Sequence, residues 1–189
     1  MLLLLCGVAS AQSRVDIGTA ISGSRNFGSE NPRIDIVGHV VGTRGRFGFE
    51  GGFSYGLLAR KTQTHDGRSA EGSAVIRYYA ARVFVAGGAR AGYQSTSLYS
   101  KSDGGPVVGG GYDDGTNVAQ ILYDHSFGEN RSDGLTLTGE RVLKTTERTF
   151  LSVRPFVIVA RFNTPHAFDG VDRRLTGARA GIAVGFGWR

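Results

Sequence analysis

Apolar and small residues alternate with a period of two along most of the chain after residue 13. In residues 46–57, one face holds bulky apolar side chains: Phe47, Phe49, Phe53, Tyr55 and Leu57. The opposite face of that segment holds glycine, serine and one glutamate. Residues 178–188 repeat the arrangement, with an apolar face that runs from Ala178 to Trp188. A period of two predicts β-strands, and a glycine-rich face is a poor solvent-exposed strand surface.

The same pattern predicts ten strands. They cover residues 14–22, 33–42, 46–58, 70–79, 82–98, 107–112, 117–125, 134–144, 149–162 and 174–188. The segment 107–112 is the shortest, and merging it into a neighbouring loop would lower the count. We therefore predict an all-β fold, a closed antiparallel up-and-down transmembrane β-barrel of eight to ten strands.

The predicted connections alternate between long polar loops and short turns. The long ones are residues 23–32, 59–69, 99–106, 126–133 and 163–173, and the short ones are residues 43–45, 80–81, 113–116 and 145–148. Membrane-spanning barrels have short periplasmic turns and longer outer loops. Closure is required because lipid offers no partner to an open strand edge.

Aromatic residues on the apolar face fall near the strand ends, where membrane barrels carry aromatic belts. The belt at the short-turn ends is predicted to contain Phe47, Tyr78, Tyr112 and Trp188, and the belt at the long-loop ends Tyr55, Tyr93 and Tyr123. Between the two belts, the same face carries valine, isoleucine, leucine, alanine and glycine.

Composition and the first residues indicate an exported protein. The 189 residues include 30 glycines and one cysteine, with a net charge of +6. A single cysteine excludes an intramolecular disulfide framework and a multi-cysteine zinc site. Residues 1–11 have an apolar core followed by Ala9-Ser10-Ala11, which predicts a cleaved signal peptide and a mature barrel domain over residues 12–189. The alternative is a lipoprotein signal that ends at Cys6.

This pattern resembles the small outer-membrane β-barrel proteins of Gram-negative bacteria, the OmpA/OmpX-like group. The resemblance is sharpest in the last strand, ARAGIAVGFGWR, with its alternating apolar residues and the aromatics Phe186 and Trp188; Arg189 then departs from a terminal aromatic. It implies an outer-membrane location and insertion by the barrel-assembly machinery. It also implies contact with outer-membrane lipid and lipopolysaccharide, for which the basic outer loops are suited.

Charged side chains are predicted on the lumen face. Among them, a lumen charge network is predicted from Glu50, Arg77, Arg90, Glu140, Arg154 and Arg179. Charges in a low-dielectric lumen must be paired or hydrated. Two interpretations stay open: a plug of ion pairs that closes the barrel, and a narrow pore lined by fixed charge.

The sequence predicts no catalytic, cofactor or metal site and no nucleic-acid partner. The strongest candidate is Asp124-His125-Ser126, but adjacent strand residues point to opposite faces, so His125 and Ser126 should diverge. Outer-membrane lipid A deacylases carry His-x-Ser, and omptin-type proteases carry Asp-x-His; this chain has neither spacing. His39 is predicted to be a neutral, hydrogen-bonded residue of the lumen.

The leading functional interpretation is a non-enzymatic outer-membrane barrel with a structural or surface-interaction role, with an unknown partner reached through its outer loops. The alternatives are a narrow, porin-like passive channel and, less favoured, a rim hydrolase that acts on lipid or peptide. A soluble lipocalin-type barrel would need bulky apolar residues inside, where this sequence has glycine and arginine.

Overall fold

The computed structural model describes residues 12–25, 33–57, 67–96, 100–128, 131–164 and 173–188. The predicted signal peptide, residues 1–11, lies outside the described residues. Ten strands make up almost all of the described chain. They are β1 (Gln12–Arg25), β2 (Arg33–Arg44), β3 (Phe47–Leu57), β4 (Gly67–Ala80), β5 (Val83–Thr96), β6 (Ser100–Asp113), β7 (Asn117–Gly128), β8 (Ser132–Lys144), β9 (Thr149–Thr164) and β10 (Arg173–Trp188).

The ten strands form one closed antiparallel barrel in which each strand pairs with its sequence neighbours. β1 closes the ring against β10, from Val15 opposite Trp188 to Arg25 opposite Ala178. The predicted fold class is therefore confirmed, and the strand number is ten rather than eight. Among the described residues there is no helix long and apolar enough to cross a membrane.

The prediction was wrong about β6, which is much longer than residues 107–112. β6 begins at Ser100, so most of the predicted loop 99–106 is strand. Its Gly, Asp and Pro residues indicate a turn locally, but the segment pairs with β5 from Ser100 through to Tyr112. β7 and β8 also extend into the predicted loop 126–133, ending at Gly128 and beginning at Ser132. The alternation of long and short connections therefore fails at these two places.

Two prolines interrupt the hydrogen-bonded ladders of the barrel. On the β6–β7 side, the register continues past Gly105 and Pro106, but neither residue pairs with its opposite, Ser126 or His125. On the β8–β9 side, Pro155 and Arg154 likewise lack pairing with Gly139 and Glu140. Proline has no N–H to donate to a ladder. We refer to these two interruptions as the ladder gaps.

The faces of the barrel are inverted relative to those of a soluble domain. Large apolar side chains are exposed on the outer face of every strand, including Ile17, Ile36, Phe53, Ile76, Val85, Val108, Ile121, Leu137, Val157 and Ile182. Charged side chains such as Asp16 and Arg77 are buried inside, with 0% and 2% exposure. An exposed apolar surface that encircles the barrel requires a lipid environment.

Candidate functional site: a charged network across the lumen

The lumen is crossed by a cluster of charged and polar side chains near the short-turn end of the barrel. We call it the central network. Its members are Arg14, Asp16, His39, Glu50, Arg77, Asp113, Gln120, Glu140 and Arg154. They come from eight of the ten strands, all except β5 and β10.

Asp16 and Arg154 form the most buried ion pair of this network. Arg154 donates from Nη2 to Asp16 Oδ1 at 2.6 Å and from Nη1 to Asp16 Oδ2 at 3.1 Å. A two-pronged guanidinium–carboxylate pair fixes the orientation of both groups. Glu140 Oε1 lies 4.0 Å from Arg154 Nη1, and Glu140 Oε2 accepts a hydrogen bond from Arg14.

Arg77 organises the other half of the network. Its guanidinium donates to Glu50 and, at 2.9 Å, to Gln120 Oε1. Asp113 lies 3.6 Å from Arg77 Nη1, and the guanidinium carbon lies 4.5 Å above the centre of the Phe84 ring. The two terminal nitrogens and the ring-facing side of this buried cation therefore have favourable neighbours, as a charge in a low-dielectric site requires, whereas its buried Nε has no hydrogen-bond partner.

His39 joins the two halves. Its Nε2 lies 2.9 Å from Glu50 Oε1. Its Nδ1 faces Asp16 Oδ2 at 3.5 Å and Glu140 Oε1 at 3.8 Å. The sequence placed His39 in the lumen but could not identify these partners, because they come from three other strands.

Four of the six predicted network residues, Glu50, Arg77, Glu140 and Arg154, belong to the central network. Arg90 lies nearer the long-loop end, where its guanidinium faces Asp103 at 3.1 Å and Asp124 at 3.2 Å. Arg179 also faces the lumen above the central network. The six residues therefore lie at different heights along the barrel axis, which a period of two does not indicate.

Two spaces flank the central network. A cavity of about 310 Å³ lies toward the long-loop end, and His39, Glu50, Gln120 and Arg154 contribute to its lining. A second space of about 750 Å³ lies at the short-turn end, where its lining includes Arg14, Tyr79 and Asp113. The central network therefore lies between the two spaces.

The seven aromatic residues predicted to form belts all lie on the outer face, with 39–60% of their surface exposed. At the short-turn end, Phe47 packs edge-on against Tyr78, with ring centres 5.5 Å apart. Arg46 and Arg82 donate to the hydroxyls of Tyr78 and Tyr112 at 3.5 and 3.3 Å. Tyrosine and arginine side by side are suited to a membrane interface, where one part is apolar and the other wet.

The candidate catalytic cluster is split between two faces of the barrel. Ser126 is buried inside and exchanges a 2.7 Å hydrogen bond with Ser132. His125 is on the outer face, where its Nδ1 lies 2.8 Å from Asp133 Oδ1. Asp133 also accepts a 2.6 Å bond from Tyr123. Sequence reasoning missed Asp133 because it is the cross-strand neighbour of His125 on β8.

A closed barrel with an apolar outer surface, aromatic strand ends and a charged lumen defines the class of small outer-membrane β-barrels. Among solved structures, the chain is similar to Neisserial surface protein A, with a TM-score of 0.51, 11% identity, and coverage of 95% of this chain and 98% of that one. This likeness confirms the predicted resemblance at the level of the fold.

Two further similar structures have lower scores. The translocator domain of the autotransporter NalP from Neisseria meningitidis has a TM-score of 0.46 and 13% identity, with coverage of 100% of this chain and 91% of that one. The attachment invasion locus protein Ail of Yersinia pestis has a TM-score of 0.37 and 13% identity, with coverage of 93% and 97%. No protein-family model and no curated protein matches the chain.

Proposed function

We propose that this protein is a non-enzymatic outer-membrane barrel with a structural or surface-interaction role, and that its lumen is closed by ion pairs. Residues 1–11 are its cleaved export signal, the barrel-assembly machinery inserts it, and lipopolysaccharide surrounds its outer leaflet. An unknown surface partner would be reached through its outer loops. The central network is the observation that supports a closed lumen, because it links eight strands between two cavities.

Ion pairs close a lumen more firmly than isolated charges do. Glu50 and Arg77 satisfy each other, and Arg77 is only 2% exposed. Removal of one partner of a buried pair leaves an uncompensated charge, which costs about 3–5 kcal/mol. A pore lined by fixed charge would instead leave its ionisable groups hydrated and available to passing ions.

The split between His125 and Ser126 supports the non-enzymatic part of the proposal. A serine nucleophile needs its base within hydrogen-bond reach. Ser126 bonds to Ser132 inside the barrel, while the His125 ring packs against Phe127 on the outer face, with ring centres 4.7 Å apart. His125 therefore cannot act as the general base for Ser126.

Single-barrel conductance in a planar bilayer tests the closed lumen. The wild-type protein should insert without steady ohmic current. The double variant Glu50→Ala/Arg77→Ala removes both members of one ion pair, so the net charge of the lumen is unchanged, and it should pass current. Glu71 of β4 lines the cavity of about 310 Å³ and is not a member of the central network. Glu71→Gln is therefore the matched control and should pass no steady current. Steady current from every inserted wild-type barrel would instead establish the narrow channel.

A further inference from the structure

Three donor atoms converge at the middle of the central network. They are His39 Nδ1, Asp16 Oδ2 and Glu140 Oε1, and all three lie within 4.8 Å of one another. The side chains are deeply buried, with exposures of 10%, 0% and 5%. Neither His39 Nδ1 nor Glu140 Oε1 has a hydrogen-bond partner.

The hydrogen bond that His39 makes through Nε2 determines whether Nδ1 carries a proton or a lone pair. Glu50 as a carboxylate can only accept, so His39 Nε2 carries the proton of their 2.9 Å hydrogen bond. In the neutral ring, Nδ1 is then a lone pair that faces two carboxylates. Three electron-rich atoms pointed at one another repel, unless a positive charge lies between them.

We propose that these three atoms bind one divalent first-row transition-metal ion in the lumen. An imidazole nitrogen with carboxylate oxygens suits zinc, cobalt, nickel, iron or manganese, whereas calcium and magnesium prefer oxygen alone. Metal–ligand distances of about 2.0–2.2 Å place neighbouring donors about 3.3 Å apart in a tetrahedral site. The observed separations from Nδ1 are 3.5 and 3.8 Å and all three atoms lie within 4.8 Å of one another, so a bound ion would draw the donors closer together.

The surroundings of the three donors match those of a supported metal site. Metal-ligating histidines almost always give their other ring N–H to an oxygen acceptor, often a carboxylate, which Glu50 provides here. Arg154 holds the Asp16 carboxylate, and Arg14 holds Glu140 through its second oxygen. All three ligands are thus oriented before an ion arrives.

The charge balance of the central network indicates that a proton competes with a metal ion for this site. The central network contains four carboxylates, on Asp16, Glu50, Asp113 and Glu140, and three guanidiniums, on Arg14, Arg77 and Arg154. With neutral His39 the sum is −1; a metal dication makes it +1, and a proton on Nδ1 makes it zero. Protons and metal therefore compete for the same lone pair, and metal affinity should fall as the pH is lowered.

One of the three ligands, His39, borders open space in the lumen. His39 and Arg154 line the cavity of about 310 Å³ on one side, and Arg14 lines the space of about 750 Å³ on the other. The sequence did not predict this site, because its ligands come from β1, β2 and β8 with no shared spacing.

Cobalt(II) titration of the folded, detergent-solubilised barrel tests the proposal. After treatment with EDTA, the wild-type protein should bind one cobalt ion per chain and develop visible absorption bands of a low-symmetry site, which zinc displaces. His39→Gln should weaken binding at least 100-fold. The matched control His125→Gln, which changes the exposed histidine, should leave the affinity unchanged. Glu50→Gln removes the carboxylate that supports the ring, and with it the ion pair to Arg77, and should weaken binding 10–100-fold.

Two outcomes would overturn the proposal: no cobalt bound by the wild-type protein, or equal affinity in His39→Gln. Heat-dependent gel mobility checks that each variant is folded. Where His39→Gln does not fold, the imidazole resonances of wild-type His39 provide the test. They should shift on addition of one equivalent of zinc. A His39 signal that responds to pH and not to zinc would show that a proton completes the network instead.

Discussion

At the scale of single residues, the alternation of faces determines the consequence of a substitution. Val184 is 43% exposed on the outer face, opposite Thr19 of β1 and Val153 of β9. Val184→Arg would place a charge against lipid, and should lower the free energy of unfolding by about 2–4 kcal/mol near the bilayer midplane. Urea unfolding in lipid vesicles measures this loss. Val184→Leu is the control, and an equal loss in both variants would contradict the assigned face.

The faces could be predicted from the sequence, but the contacts could not. A period of two places Glu50, Arg77 and Glu140 inside the barrel. Which of them meet depends on the stagger of ten strands around the ring, which no local pattern encodes. Asp16 and Arg154 are 138 positions apart in the chain and form a two-pronged pair only because β1 and β9 both flank β10.

At the scale of elements, the proline in β6 explains both a wrong prediction and a local weakness. Pro106 made residues 99–106 resemble a loop, yet it pairs with Ala89 of β5. Pro106→Ala restores an N–H that can donate to the carbonyl of His125, its opposite residue on β7, and by closing the ladder it should slow exchange of the His125 amide. Hydrogen-exchange mass spectrometry over β7 measures this. Pro32→Ala, outside the described residues, is the control; unchanged exchange in Pro106→Ala would show that the proline does not cause the gap.

The turn between β6 and β7 should be sensitive to acid. Gly115 has a φ of +86°, and the Asp114 carboxylate accepts from the backbone N–H groups of Asn117 and Thr116 at 2.7 and 2.9 Å. These bonds hold the pKa of Asp114 below its ordinary value of 3.8.

Because the folded-state pKa of Asp114 is depressed, its stabilisation of the turn is present above the ordinary value and is lost as the pH falls through the folded one. The Thr116 and Asn117 amide resonances should therefore shift with a midpoint below pH 3.8. Asp114→Ala should abolish that titration. A midpoint at or above the ordinary value would contradict the assigned hydrogen bonds.

At the scale of the whole molecule, stability in lipid depends on closure. Where β1 pairs with β10, a Cβ added at Gly18 would lie 2.0 Å from the Val184 carbonyl oxygen. Gly18→Val should therefore disrupt the closing ladder, and a smaller fraction of the protein should show the heat-dependent mobility shift of a closed barrel. Thr19→Val, an adjacent change on the outer face, should keep that shift. An unchanged mobility shift in Gly18→Val would show that β1 and β10 can separate enough to accept a side chain.

The two ladder gaps also have a consequence for how the barrel comes apart. They border the same hairpin, one between β6 and β7 and the other between β8 and β9, while the β7–β8 ladder itself is continuous from Asn117 to Ser126. When a β-barrel is pulled, strand pairs separate first where the fewest interstrand hydrogen bonds resist the applied force. Pulled out of a membrane from one end, this protein should release β7 and β8 together as one mechanical unit, with the rupture starting at the two prolines.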